Sequence, residues 1–151
     1  MKRLEEGIGF KLSRVARRLR SNWEEVISDL GLSPPHAAIL RTIHEADGEM
    51  GLREVARRLG TDPMNVKRGI DFLEAEGFII SDLSERGKPR YLSLTDRGLD
   101  AVSEVINRVN MQELIFKECL TPEEILELSE IVDKLQDHLD TLPPRRKKLE
   151  S

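Results

Sequence analysis

The stretch Asp62-Pro63-Met64-Asn65-Val66-Lys67-Arg68 holds the side chains best suited to chemistry on a polyanion. An asparagine amide can pair with an adenine edge, and arginine or lysine with guanine. A methionine can pack on a thymine methyl. Those contacts require one exposed edge near the start of a helix. Asp62 is a good N-cap and Pro63 a good first helical residue. With roughly 100° per residue, Val66, Ile70 and Leu73 make an inner stripe. Met64, Arg68 and Asp71 then face the opposite side, with Asn65 and Lys67 on the flanks. Gly69 sits near the inner edge, where a missing side chain permits close helix packing. Asp71 would repel phosphate, but it lies four residues after Lys67, so an intrahelical pair can mask it. A second cationic knot, Glu85-Arg86-Gly87-Lys88-Pro89-Arg90, follows downstream. The candidate contact set is therefore Pro63, Met64, Asn65, Lys67, Arg68, Arg86, Lys88 and Arg90.

Taken alone, two adjacent cations are ordinarily a solvated surface. Their setting decides the matter. Leu52, Val55, Ala56 and Leu59 step by three and four along a short helix at about 52–59. Gly60 and Thr61 make the turn, and the helix that starts at Pro63 runs to about Glu76 and ends at Gly77. After Gly77 the period changes. FIISDL and RYLSL read as two short strands around a turn, SERGKP, with a basic tip. A helix–turn–helix followed at once by a hairpin is a winged helix. One helix fits a major groove and the hairpin tip reaches the adjacent backbone or minor groove.

The remaining elements are helical. Ile8, Leu12, Val15, Leu19, Trp23, Val26 and Leu30 form one seam across residues 4–30, ended by Gly31. Ser33 and Pro34 open a second helix with Ala37, Ile39, Leu40 and Ile43 on one side, stopping near Gly48. Thr95 caps a long helix at about 96–118. Thr121-Pro122-Glu123-Glu124 is a capping box for a last helix, which Pro143-Pro144 stops. The expected fold class is mainly α. It is a winged helix–turn–helix at 33–95, with long dimerisation helices at 1–32 and 96–142 and a flexible tail at 143–151.

Composition sets limits on function. Net charge is −4, with 38% hydrophobic and 34% charged residues. So little apolar content with long seams calls for a partner chain, hence a homodimer. The charge is segregated. Residues 1–20 carry seven cations against Glu5 and Glu6, while residues 121–141 carry seven acids and one base, Lys134. A negative total can therefore coexist with a positive working face. No apolar run is long enough for a membrane span, and the charged N-terminus lacks a signal-peptide core, so a cytoplasmic protein is expected. His36, His44 and His138 have no carboxylate or cysteine at ligand spacing, so no metal is expected. No catalytic triad, phosphate loop or acid pair stands out, so neither an enzyme nor a cofactor is expected. Cys119, the single cysteine, lies beside Glu118, which would not lower a thiol pKa; a bystander is the better reading.

With these residues in hand, the chain resembles the MarR family of winged-helix regulators. The likeness rests on LGLSPPHAAILRTI at 30–43, LREVARRLGTDPMNVKRGIDFLEAEGFI at 52–79, and LSLTDRG at 92–98. It implies an obligate homodimer joined through the first and last two helices, and recognition helices in successive major grooves of double-stranded DNA. It often implies a small-molecule effector that releases the DNA. The family's wing commonly carries an aspartate two residues before an arginine. Counted without gaps, those positions fall on Arg86 and Lys88; a shifted register makes Arg86 the wing arginine behind Ser84. Either way the brace is altered. The resemblance also implies an effector pocket between the first, second and fifth helices, lined by Arg20, Trp23 and His36, although Trp23 has an alternative place in the core. The leading expectation is a repressor acting on a pseudo-palindromic site. The alternative is a winged helix used for protein–protein contact without sequence-specific DNA binding.

Overall fold

The computed structural model describes residues 3–46, 50–82 and 91–143. Among these residues six α-helices and one antiparallel strand pair follow in order. They are α1 (Ile8–Val26), α2 (Pro34–Glu45), α3 (Leu52–Leu59), α4 (Pro63–Ala75), β1 (Ile79–Ser81), β2 (Leu92–Leu94), α5 (Asp96–Cys119) and α6 (Pro122–Asp140). The chain divides into two compact units, Met1–Asn110 and Met111–Ser151. No helix among the described residues is long and apolar enough to cross a membrane.

The first unit is a winged helix built on α2, α3, α4 and the hairpin. Its core joins Ala37, Ile39, Leu40 and Ile43 of α2 to Val55 and Ala56 of α3. Val66, Ile70 and Leu73 of α4 complete it, with Phe78, Ile79 and Leu92 from the hairpin and Val102 and Val105 from α5. The two strands pair antiparallel, Ile79 opposite Leu94 and Ser81 opposite Leu92. An isolated bridge from Met50 to Leu92 adds a third strand position ahead of α3. The strands are shorter than the apolar runs from which they were predicted. The hairpin tip, with Arg86, Lys88 and Arg90, lies outside the described residues. So do Gly48, where α2 was expected to stop, and residues 144–151 of the expected tail. The second unit holds the last turns of α5 and the whole of α6. On α6 Ile125 is half-buried, while Leu128, Ile131, Val132, Leu135 and Leu139 are exposed, as is Leu142 just beyond the helix.

One boundary differs from expectation. The seam at residues 4–30 is not a single helix. A 3-10 turn covers Leu4–Glu6, α1 ends at Val26, and a second 3-10 turn covers Ser28–Leu30 before Gly31 takes a left-handed φ of 69°. Ile27 is the cause. It falls roughly 100° off the seam beside Val26, yet it is completely buried in the core. Its backbone leaves helical geometry at φ −105° and ψ 2°, which lets it turn inward. Arg108 of α5 fixes this junction. Its guanidinium donates to both carboxylate oxygens of Asp29, at 2.7 and 3.1 Å, and to the Val26 carbonyl at 2.7 Å. Asp29 and Glu104 hold the Arg108 pKa well above its ordinary value.

The helix–turn–helix itself forms for the reasons legible in its residues. Gly60 closes α3 in the left-handed region at φ 62°. The Asp62 carboxylate accepts from the Met64 amide at 3.0 Å, and Pro63 takes the first helical position. Asp62→Ala is expected to lower stability by about 1 kcal/mol, with Asp62→Asn near the parent. Urea unfolding midpoints test this; equal midpoints for all three would show that the cap is dispensable.

Candidate nucleic-acid interface

The α4 helix has the two faces that the wheel requires. Val66, Ile70 and Leu73 are buried against α2 and the hairpin, while Pro63, Met64, Asn65, Lys67 and Arg68 are all exposed. Met64 is 58% exposed, a large apolar side chain in open solvent at the first turn of the helix. Gly69 explains how closely α4 seats on α2. A Cβ there would lie 2.5 Å from Ile39 Cδ1 and 3.7 Å from a His36 ring carbon. The two cations differ. Lys67 Nζ donates to Asp71 at 3.0 Å, as the four-residue spacing predicts. Arg68 has no ion-pair partner among the described residues. Of the two, Arg68 is the one with its full hydrogen-bonding fork available.

The expected effector residues separate. Arg20 and His36 line one open groove of about 610 Å³, together with Pro34, Ile39, Asn65 and Arg68. Trp23 is not in that lining; it is half-buried and packs against the core. The groove is formed by α1, α2, the α3–α4 turn and α4, and α5 supplies none of its lining. Two of the proposed base-reading side chains, Asn65 and Arg68, therefore also border this groove. Their i, i+3 spacing was a signal for this, but only the crossing of α2 over α4 reveals it.

His36 connects the two features. Its ring stacks on Phe72 of α4, centroids 4.2 Å apart and planes 6° from parallel. Its Nδ1 accepts from the Ser33 amide at 3.3 Å, across the N-terminus of α2. Burial pushes the imidazole pKa below its ordinary value of 6.5. A depressed folded-state pKa means that the unfolded chain takes the proton first, so the stabilisation is complete above about 6.5 and is lost as pH falls toward the folded value. Between pH 7.5 and 5.5 the parent is expected to lose more urea resistance than His36→Phe, which keeps the stack but cannot titrate. Parallel losses in the two chains would refute this.

Among the described residues no three His, Cys, Asp or Glu side chains gather as a metal site. Cys119 is exposed, and its Sγ donates to the Ile115 carbonyl at 3.3 Å.

Residues 32–85 match the family model for MarR, the MarR family. Over that segment the chain is similar to the MarR family. Solved structures extend the likeness of fold. The organohalide sensing RdhR-CbdbA1625 transcriptional regulator, in its 2,4-dichlorophenol bound form, is 26% identical with a TM-score of 0.82. That match covers 98% of this chain and 87% of the regulator. The S. aureus MepR–DNA complex is 15% identical with a TM-score of 0.80, covering 91% of this chain and 99% of MepR. Bordetella bronchiseptica BpsR, whose DNA binding is regulated by 6-hydroxynicotinic acid, is 20% identical with a TM-score of 0.80. Coverage there is 89% of this chain and 98% of BpsR. The MarR match and the arrangement of α2 to β2 agree on the same segment.

Proposed function

We propose that this chain is a sequence-specific DNA-binding transcriptional regulator, a repressor, acting as a homodimer on a pseudo-palindromic site. One observation carries the reading. The α4 helix is held inward by Val66, Ile70 and Leu73, so that Met64, Asn65, Lys67 and Arg68 stand exposed on its first turns. That is the pattern a major groove demands. The S. aureus MepR–DNA complex shares the fold and supports it.

Dimerisation has its own support. Ile8, Leu12 and Val15 on α1 are exposed, and so are Leu128, Ile131, Val132, Leu135 and Leu139 on α6, at 39–56%. Continuous apolar seams in solvent are a reason to associate. Two symmetric reading helices would then meet grooves about 34–36 Å apart. The groove bordered by Arg20, His36 and Arg68 suits a small planar anion as effector. RdhR-CbdbA1625 with 2,4-dichlorophenol and BpsR with 6-hydroxynicotinic acid supply the precedent.

The test is selection of bound sequences from a random duplex pool. A two-fold symmetric motif, with affinity that falls steeply as salt rises, is the expected result. No enrichment, or binding indifferent to salt, would leave the protein–protein module as the better reading.

A further inference from the structure

Glu74 and Ser81 carry a contact that base reading does not use. Glu74 Oε1 accepts from the Ser81 hydroxyl at 2.6 Å and from the Ser81 amide at 3.3 Å. One residue lies in the last turns of α4, the other ends β1. The link therefore joins the C-terminal part of the proposed reading helix to the strand that leads into the hairpin. Helix physics alone does not favour an acid there. The C-terminus of a helix carries partial negative charge, and an acid in its last turn is disfavoured. Nor does DNA binding favour it, since Glu74 adds negative charge to a helix meant for a polyanion. The gain lies in the two hydrogen bonds to Ser81. A hydroxyl donating to an ionised carboxylate at this distance is of the strong, charge-assisted kind.

We propose that Glu74 is a positioning residue, which through Ser81 couples the reading helix to the hairpin so that both meet DNA as one body. This rests on the DNA-binding reading above. The pair acts as a local brace between the last turns of α4 and the end of β1. Ser81 and the Asp82 amide, which donates to the Tyr91 carbonyl at 2.9 Å, are the last described links before the hairpin's far end.

The test compares Glu74→Ala with Glu74→Gln on the most enriched duplex from the random-pool selection, titrated across salt. Both variants remove the charge. Glutamine keeps an acceptor oxygen for the Ser81 amide and hydroxyl, whereas alanine keeps none. If Glu74 acts only as a repelling charge, both variants bind alike and somewhat tighter than the parent. If it positions the hairpin, Glu74→Gln keeps the parent's salt slope, and Glu74→Ala loses phosphate contacts, its slope shallower by about 0.9 for each. Amide exchange at Ser81 in the free protein supplies a second readout, faster in Glu74→Ala and unchanged in Glu74→Gln. Equal slopes for the two variants, or equal Ser81 exchange, would overturn the proposal while leaving the regulator reading intact. A parent chain that bound no duplex would overturn the regulator reading first, and this one with it.

Discussion

Gly98→Ala is expected to lower folding stability by about 3 kcal/mol or more, among the larger effects of a single methyl group. An added Cβ would stand 2.0 Å from the Phe78 carbonyl oxygen, 3.1 Å from its carbon and 3.4 Å from Leu94 Cβ. The obstacle is backbone, and it is held in place. The Phe78 carbonyl accepts from the Thr95 amide and from the Thr95 hydroxyl, both at 3.1 Å. The same hydroxyl accepts from the Gly98 amide at 3.1 Å and donates to the Gly77 carbonyl at 2.6 Å. Moving the carbonyl therefore breaks the N-terminus of α5 and the exit of α4 together. A control comes from Gly9 in α1, where an added Cβ meets nothing within 4 Å. Gly9→Ala should be neutral or stabilising by at most about 1 kcal/mol. Urea unfolding of both variants is the measurement. Should Gly98→Ala unfold at the parent's midpoint, the close approach of α5 to Phe78 is wrong.

The second large effect is on recognition. Arg68→Ala is expected to relax the preference at one base pair per half-site by about 1–3 kcal/mol, roughly 5- to 150-fold in relative affinity. Arg68→Lys should lose most of that preference too, because a lysine keeps the charge but not the planar fork. Lys67→Ala should do less to sequence preference. Its ammonium is already engaged by Asp71 at 3.0 Å, so its removal frees an acid as well as deleting a base. Selection from a random pool with each variant, read position by position, checks this. Identical motifs from the parent and Arg68→Ala would remove Arg68 from the reading edge.

What the sequence carries locally depends on the range of the interaction. The α4 helix is the clearest case. Its cap at Asp62, its start at Pro63, the successive steps of its inward stripe and the Lys67–Asp71 pair each span four positions or fewer. Helical period and capping chemistry act over that range, so the local sequence carries them. The same holds for the turn at Gly60 and for Thr121, whose hydroxyl accepts from the Glu124 amide at 3.1 Å. The α1 boundary is different: the seam from Ile8 to Leu30 is unbroken in sequence, and only the core's demand for Ile27 ends the helix at Val26.

The sequence by itself determined the order of elements, the face of α4 turned to solvent and the identity of the side chains on it. Tertiary structure decided the rest. Only the crossing of α2 on α4 brings His36 onto Phe72 and sets Arg20 on one groove with Arg68. Only the fold sets Arg108 on Asp29 and Glu74 on Ser81. These contacts join residues 7 to 79 positions apart, and pairings at that distance carry no periodic signature. They arise because burying one apolar face of each helix fixes its rotation and its neighbours, and the polar side chains then meet whichever partners that packing presents.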